Sequence, residues 1–227
     1  MNDETVRAGA EATKEVAATT GKALDLAGKL SSYFDGMMRE LGGIAEDNMK
    51  LRRYKNRLKL FAKAEEFMRD KGLDGPTREI PPKFALPLVT YATLEEDEGL
   101  QDIWARLLAN AADASTPVEL RTAYIDMLKD LTAFDVKILS MLAKLSVSDL
   151  PQPYPPSIET WDLPKDARVQ TTLSGEAGLL APEVSTSLSN LARAGCISPT
   201  YGYGGMPLLT LVSITPLGIG LYRACAG

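Results

Sequence analysis

The chain has 227 residues, 45% of them hydrophobic and 24% charged, with a net charge of −5. That length makes one large or two small domains, and the apolar share is enough for a buried core. With no histidine and two cysteines, Cys196 and Cys225, Ser-His-Asp, Cys-His, His-metal and Cys₄ zinc chemistry are excluded.

The first segment, MNDETVRAGAEATKEV, is polar and acidic, where an export signal starts basic and turns apolar. No apolar run reaches the ~18 residues of a spanning helix. The chain is therefore expected to be cytoplasmic, with both thiols reduced. Residues 1–43 are rich in Ala, Gly and Thr, and Leu24, Leu26, Leu30, Phe34, Met37 and Leu41 recur at helical intervals. The spacing predicts a soft amphipathic helix that needs a partner surface. Its polar face mixes Asp25, Lys29, Asp35 and Arg39, which suits docking on its own protein or a second copy. Membrane insertion is the alternative, although interfacial helices are usually Lys-rich.

Residues 44–71 are predicted as one long helix. Leu51, Tyr54, Leu58, Phe61 and Met68 form an a/d-like seam that skips Glu65. Around it lie Lys50, Arg52, Arg53, Lys55, Arg57, Lys59 and Lys63, with no acid between positions 50 and 63. Setting those seven charges aside leaves −12 on the rest of the chain. Such a basic stretch offers a surface to an anionic partner such as nucleic acid or acidic lipid. The plainer reading pairs it with the acidic run at 95–98 or leaves it solvated.

Pro81 and Pro82 suit the start of a helix that Pro87 is expected to kink or split. Thr93 and Glu96 read as a capping box, placing Glu95, Glu96, Asp97 and Glu98 in the first turn of the next helix. Those acids are better explained by the helix dipole than as a metal site. Leu100, Ile103, Trp104, Leu107, Leu108 and Ala111 give that helix one apolar face. Thr116-Pro117 is expected to open another, and Thr132 with Asp135 a further one carrying Phe134, Ile138, Leu139, Leu142 and Leu145. Five prolines between 146 and 171 argue for an irregular insertion.

The last stretch changes pattern. Pro182 opens a helix with Val184, Leu188, Leu191 and Ala192 inward, closed by Gly195. Cys196-Ile197 begins an extended run, the 201–205 Tyr/Gly segment turns, and Leu208 to Ile214 reads as a strand before a Thr215-Pro216 helix. The order suggests a winged helix. Its contact face would be Ser185, Thr186, Ser189, Asn190 and Arg193 on the helix, with Tyr201 and Tyr203 at the wing. From 130 to 227 there are six Lys/Arg against eight Asp/Glu, so protein contact suits this face better than DNA. The fold class is thus mainly α. An amphipathic segment (1–43) and a helical core (44–130) precede a winged-helix-like region (131–227) with a small β-hairpin and the 146–171 insertion.

Several runs, in order, resemble one family. NMKLRRYKNRLKLFAKAEEFMRDKGLD (48–74), IPPKFALPLVTYATLEEDEGLQDIWARLLANAAD (80–113) and YIDMLKDLTAFDVKILSML (124–142) are similar to the abortive infection alpha family. Ile214-Thr215-Pro216-Leu217-Gly218 matches its C-terminal end more loosely. Trp104, Ala105, Leu107, Leu108, Ala109 and Asn110 fall in its central motif; their spacing makes most of them core, with Asn110 pinning the helix end. The resemblance implies a bacterial protein that limits phage infection by sacrificing or arresting the infected cell. It implies no catalytic set and no cofactor, which agrees with the residues.

The expectation is therefore an anti-phage protein that binds rather than catalyses, with a host or phage protein as partner. Self-association is also expected, from the open seam of the 44–71 helix. The alternatives are a winged-helix DNA-binding regulator and a membrane-active effector working through residues 1–43.

Overall fold

The computed structural model describes residues 47–117, 119–147, 156–169, 179–202 and 204–226. The 1–43 segment and Tyr203 lie outside the described residues. The chain forms two compact units that divide after Pro117, whereas sequence reading put the boundary at 130/131.

The first unit is helical. Helix α1 (Asp47–Asp70) buries Leu58, Leu60, Phe61, Ala64 and Met68. Leu58, Phe61 and Met68 belong to the expected seam, but Tyr54 is 41% exposed and Leu60 replaces it inside. The stripe is wider than an a/d seam because α1 packs on two helices, α2 (Pro82–Ala92) and α3 (Glu98–Ala112). The Leu58, Phe61 and Met68 part of the seam is therefore covered within the chain, whereas Tyr54 stays exposed. Past the end of α1, the Leu73 N–H returns to the Met68 carbonyl and the Gly72 N–H to that of Arg69, closing the helix in a Schellman turn.

Helix α2 is continuous through Pro87. A mid-helix proline costs ~3 kcal/mol, but Phe84 and Ala85 before it and Leu88, Val89 and Ala92 after it are all buried. Anchoring on both sides keeps the two halves in one helix, so of the expected kink or split the split does not occur. Helix α3 also starts differently. Its N-cap is Asp97, whose carboxylate accepts from the Leu100 N–H at 2.9 Å, not Thr93. The Thr93 hydroxyl instead donates to the Thr90 carbonyl at 2.9 Å. Glu95 accepts the N–H groups of Glu96 and Asp97, so three of the four acids precede the helix. Ten of the fifteen residues of α3 are buried, Trp104 among them.

The other end of α3 is held by the segment before α2. The N–H groups of Thr77 and Arg78 reach the Ala112 carbonyl, and the Arg78 guanidinium donates to Asn110 and Ala111 carbonyls at 2.7 and 2.9 Å. A cation at a helix C-terminus satisfies orphan carbonyls and opposes the dipole. The Asn110 side chain accepts from Lys71 Nζ at 2.5 Å, tying the ends of α1 and α3 as its motif position implied.

The second unit adds a sheet to four helices: α4 (Thr122–Leu128), α5 (Ala133–Val147), α6 (Pro182–Arg193) and α7 (Pro216–Cys225). Helix α4 begins at Thr122, not at Thr116-Pro117, and its Tyr124 ring lies against Gly220 of α7. That packing places α4 in the second unit and moves the boundary forward. The Thr132–Asp135 box is as read: the carboxylate accepts the Thr132 N–H at 2.8 Å and the Asp135 N–H donates to the Thr132 hydroxyl at 3.2 Å.

The sheet is larger than the expected hairpin. Strands β1 (Ile158–Glu159) and β2 (Arg168–Val169) come from the proline-rich stretch, and join β3 (Ile197–Tyr201) and β4 (Pro207–Ile214) in the antiparallel order β2-β1-β4-β3. Ile158 pairs with Val212, and Thr160 continues the ladder through its N–H and its hydroxyl, 2.6 Å from the Leu209 carbonyl. Prolines bar a helix there but leave room for short pairings that bury Ile158 completely. The β3–β4 register shifts between Pro199 and Thr200.

At the C-terminal end, the Thr215 hydroxyl donates to the Gly195 carbonyl at 2.6 Å and caps α7 by accepting from the Gly218 N–H at 3.0 Å. Gly218 sits where a Cβ would lie 2.1 Å from the Cys196 carbonyl oxygen, so only glycine fits. The Ile214–Gly218 run thus fastens α7 to the start of β3.

Candidate interaction surfaces

The seven basic residues of α1 stand in different surroundings. Lys50 has no described side chain. Arg52 pairs with Glu96 at 2.6 Å and Lys63 with Asp102 at 2.5 Å. The Arg57 guanidinium lies 5.2 Å from the centre of the Tyr54 ring, a cation–π distance. Arg53 is half-buried, and its Nε meets no acceptor among the described residues. Lys55 and Lys59 stand exposed. Between the two ion pairs, the Asn56 amide donates to the Thr93 and Glu95 carbonyls at 3.1 and 3.2 Å. Part of the basic run therefore serves to dock α1 on the turn before α3.

The face read as a winged-helix contact is also largely engaged. Asn190 donates to the Asp135 carboxylate at 2.9 Å and to the Asp130 carbonyl at 3.0 Å. Its own oxygen accepts from Arg193 at 2.9 and 3.1 Å, and Arg193 lies 3.5 Å from the Asp130 carboxylate. The Thr186 and Ser189 hydroxyls donate back to the Pro182 and Ser185 carbonyls, and Ser185 is half-buried. Burial works against a charge on Asp135. The Ser187 hydroxyl, the Thr132 backbone and hydroxyl and the Asn190 amide outweigh it, holding the carboxyl below its usual range. The Thr132–Asp135 half of this cluster was visible as a cap. Its partner, 55 positions on, carried no sequence signal.

A different surface emerges at the β3–β4 hairpin. Tyr201 is 65% exposed, Met206 69% and Leu208 42%. No charged residue occurs from Ala194 to Tyr222. Only Tyr201 of this group was singled out from the sequence. Leu208 begins the strand expected from the sequence and Met206 falls between that strand and the 201–205 turn, so their exposure depends on where the turn falls.

The two thiols are buried, and burial pushes both up to about 12. Thiolates, not thiols, are the reactive form. Among the described residues no cluster of three or more Cys, Asp or Glu is arranged to hold a metal ion, and no helix is long and apolar enough to cross a membrane.

These features define a mainly helical protein of two units, the second built around a small antiparallel sheet. The family model for abortive infection alpha matches residues 48–225, and the chain belongs to that family. The match runs through both units. No curated protein and no solved structure matches significantly.

Proposed function

We propose that this protein limits phage infection by binding a protein through the exposed β3–β4 hairpin, without a catalytic step of its own. Family membership supports the defence role. The observation that carries the binding mode is the uncharged hairpin tip, on which Tyr201, Met206 and Leu208 each stand exposed. Tyrosine and methionine are enriched at interface centres, where charged residues are depleted.

The order of helix α5, strand β1, helix α6 and the hairpin, with β4 between β1 and β3, supports a winged-helix reading of the second unit. In a DNA reader α6 would present free donors to the major groove. Here Asn190 and Arg193 are spent on Asp135 and Asp130, and Thr186 and Ser189 on their own helix. The wing carries no cation for phosphates. Protein contact therefore fits this unit better than duplex binding.

Plaque counts in a phage-sensitive host expressing the wild type and a Tyr201→Ser, Met206→Ser, Leu208→Ser triple variant test this reading. Protection by the wild type that the soluble, folded triple variant loses is the expected result. Equal protection by both refutes the hairpin as the binding surface.

A further inference from the structure

We propose that the outer face of α1 and the turn leading into α3 form a self-complementary charged patch on which a second copy of this chain docks. Arg52, Lys55 and Lys59 stand at i, i+3 and i+7, on one side of the helix and within about 10 Å of each other at 1.5 Å per residue. All three are exposed. Glu96, Asp97 and Glu98 follow in the adjoining turn and are exposed as well. The 2.6 Å Arg52–Glu96 pair marks the border between the two rows, with side chains 71% and 67% exposed.

The relative position of the rows is fixed from beneath. Asn56 holds the carbonyls of Thr93 and Glu95, and Lys63 holds Asp102. Among the described residues, Lys55 and Lys59 have no ion-pair partner in the chain.

Charge complementarity decides the occupant. A nucleic-acid backbone laid along Lys55 and Lys59 would meet Glu96, Asp97 and Glu98 beside them, and like charges repel it. A second copy related by a two-fold axis sets each basic row against the other's acidic row, as an isologous contact requires. Leu94, 47% exposed in the same turn, adds an apolar contact between the rows. Exposed ion pairs are individually weak and screened by salt. They fix register and speed association more than they add affinity, so the dimer is expected to be salt-sensitive.

Analytical ultracentrifugation of the full chain at about 0.05 M and about 0.5 M NaCl tests the proposal. The expected result is a species of twice the monomer's 24.5 kDa at low salt that dissociates at high salt. Lys55→Glu with Lys59→Glu, and separately Glu96→Lys with Glu98→Lys, should each give a monomer with an unchanged circular dichroism spectrum. Mixing the two variants should restore the dimer, because one then carries two acidic rows and the other two basic rows. A wild type that stays monomeric at low salt overturns the proposal. So does a dimer that neither variant disturbs, or a loss that mixing fails to repair. A monomer that captures duplex DNA or RNA through Lys55 and Lys59 also overturns it. The hairpin is not involved, so failure here leaves the proposed function standing.

Discussion

The Asn190 side chain donates to the Asp135 carboxylate over 2.9 Å, joining the third turn of α6 to the start of α5. Asp135 is 3% exposed and also serves the cap of α5. Leaving a buried charged acceptor short of a donor costs about 1–3 kcal/mol. Asn190→Ala should therefore lower the unfolding free energy read from urea titration by that amount, with a lower midpoint, while Ser189→Ala changes it little. Equal midpoints for Asn190→Ala and wild type would show that the contact contributes nothing.

Stability should fall at both ends of the pH scale, for different groups. The Asp135 and Asp113 carboxyls are held below their ordinary 3.8. At Asp113, burial opposes the charge, and the hydroxyls of Ser115 and Thr116 and the Ser115 N–H overcome it. A lowered carboxyl stabilises the fold fully above its unfolded value, and that contribution is lost as pH drops through the folded one. The acid limb should therefore begin below about 4, and Asp135→Asn should flatten part of it. Cys196 and Cys225 are raised from 9.0 to about 12, so their share is present below 9.0 and lost as pH climbs towards about 12. Thermal midpoints between pH 3 and 11, on the wild type and a Cys196→Ala, Cys225→Ala variant, check both limbs.

Two glycines of α7 should respond differently to alanine. At Gly218 the added Cβ would lie 2.1 Å from the Cys196 carbonyl oxygen, 2.9 Å from its carbon and 3.0 Å from its Cα, all backbone. At Gly220 it would lie 2.3 Å from the Tyr124 hydroxyl, the end of a side chain. Overpacking of this kind costs roughly 1–3 kcal/mol. Gly218→Ala should lower the melting temperature with no simple repair. Gly220→Ala should be partly rescued by Tyr124→Phe, which removes the clashing oxygen, and the absence of any rescue would refute that account.

What the sequence made legible was local. Helices with regular apolar spacing, such as the Leu100–Ala111 stretch, and caps written within four residues, such as Thr132 with Asp135 or Thr215 with Pro216, stand where the spacing put them. The errors came where a distant partner decided the outcome. Pro87 stays helical because both flanks are buried. Ile158 becomes a strand because Val212 accepts it. Asn190 looked available for recognition because Asp135 is far away in the chain. The basic helix was partly legible: its expected pairing with the acidic run appears as Arg52 with Glu96, whereas the Lys63 partner, Asp102, lies a turn beyond that run.

The sheet order leaves β3 and β2 at its margins. The first is five residues long and interrupted at Pro199, and the second has two residues. Among the described residues, neither margin offers the regular row of free amides and carbonyls that strand addition needs. The partner proposed for the hairpin is therefore expected to grip its protruding side chains instead of extending the ladder. The same irregularity guards against edge-to-edge aggregation beside an exposed apolar tip, as short or interrupted edge strands do.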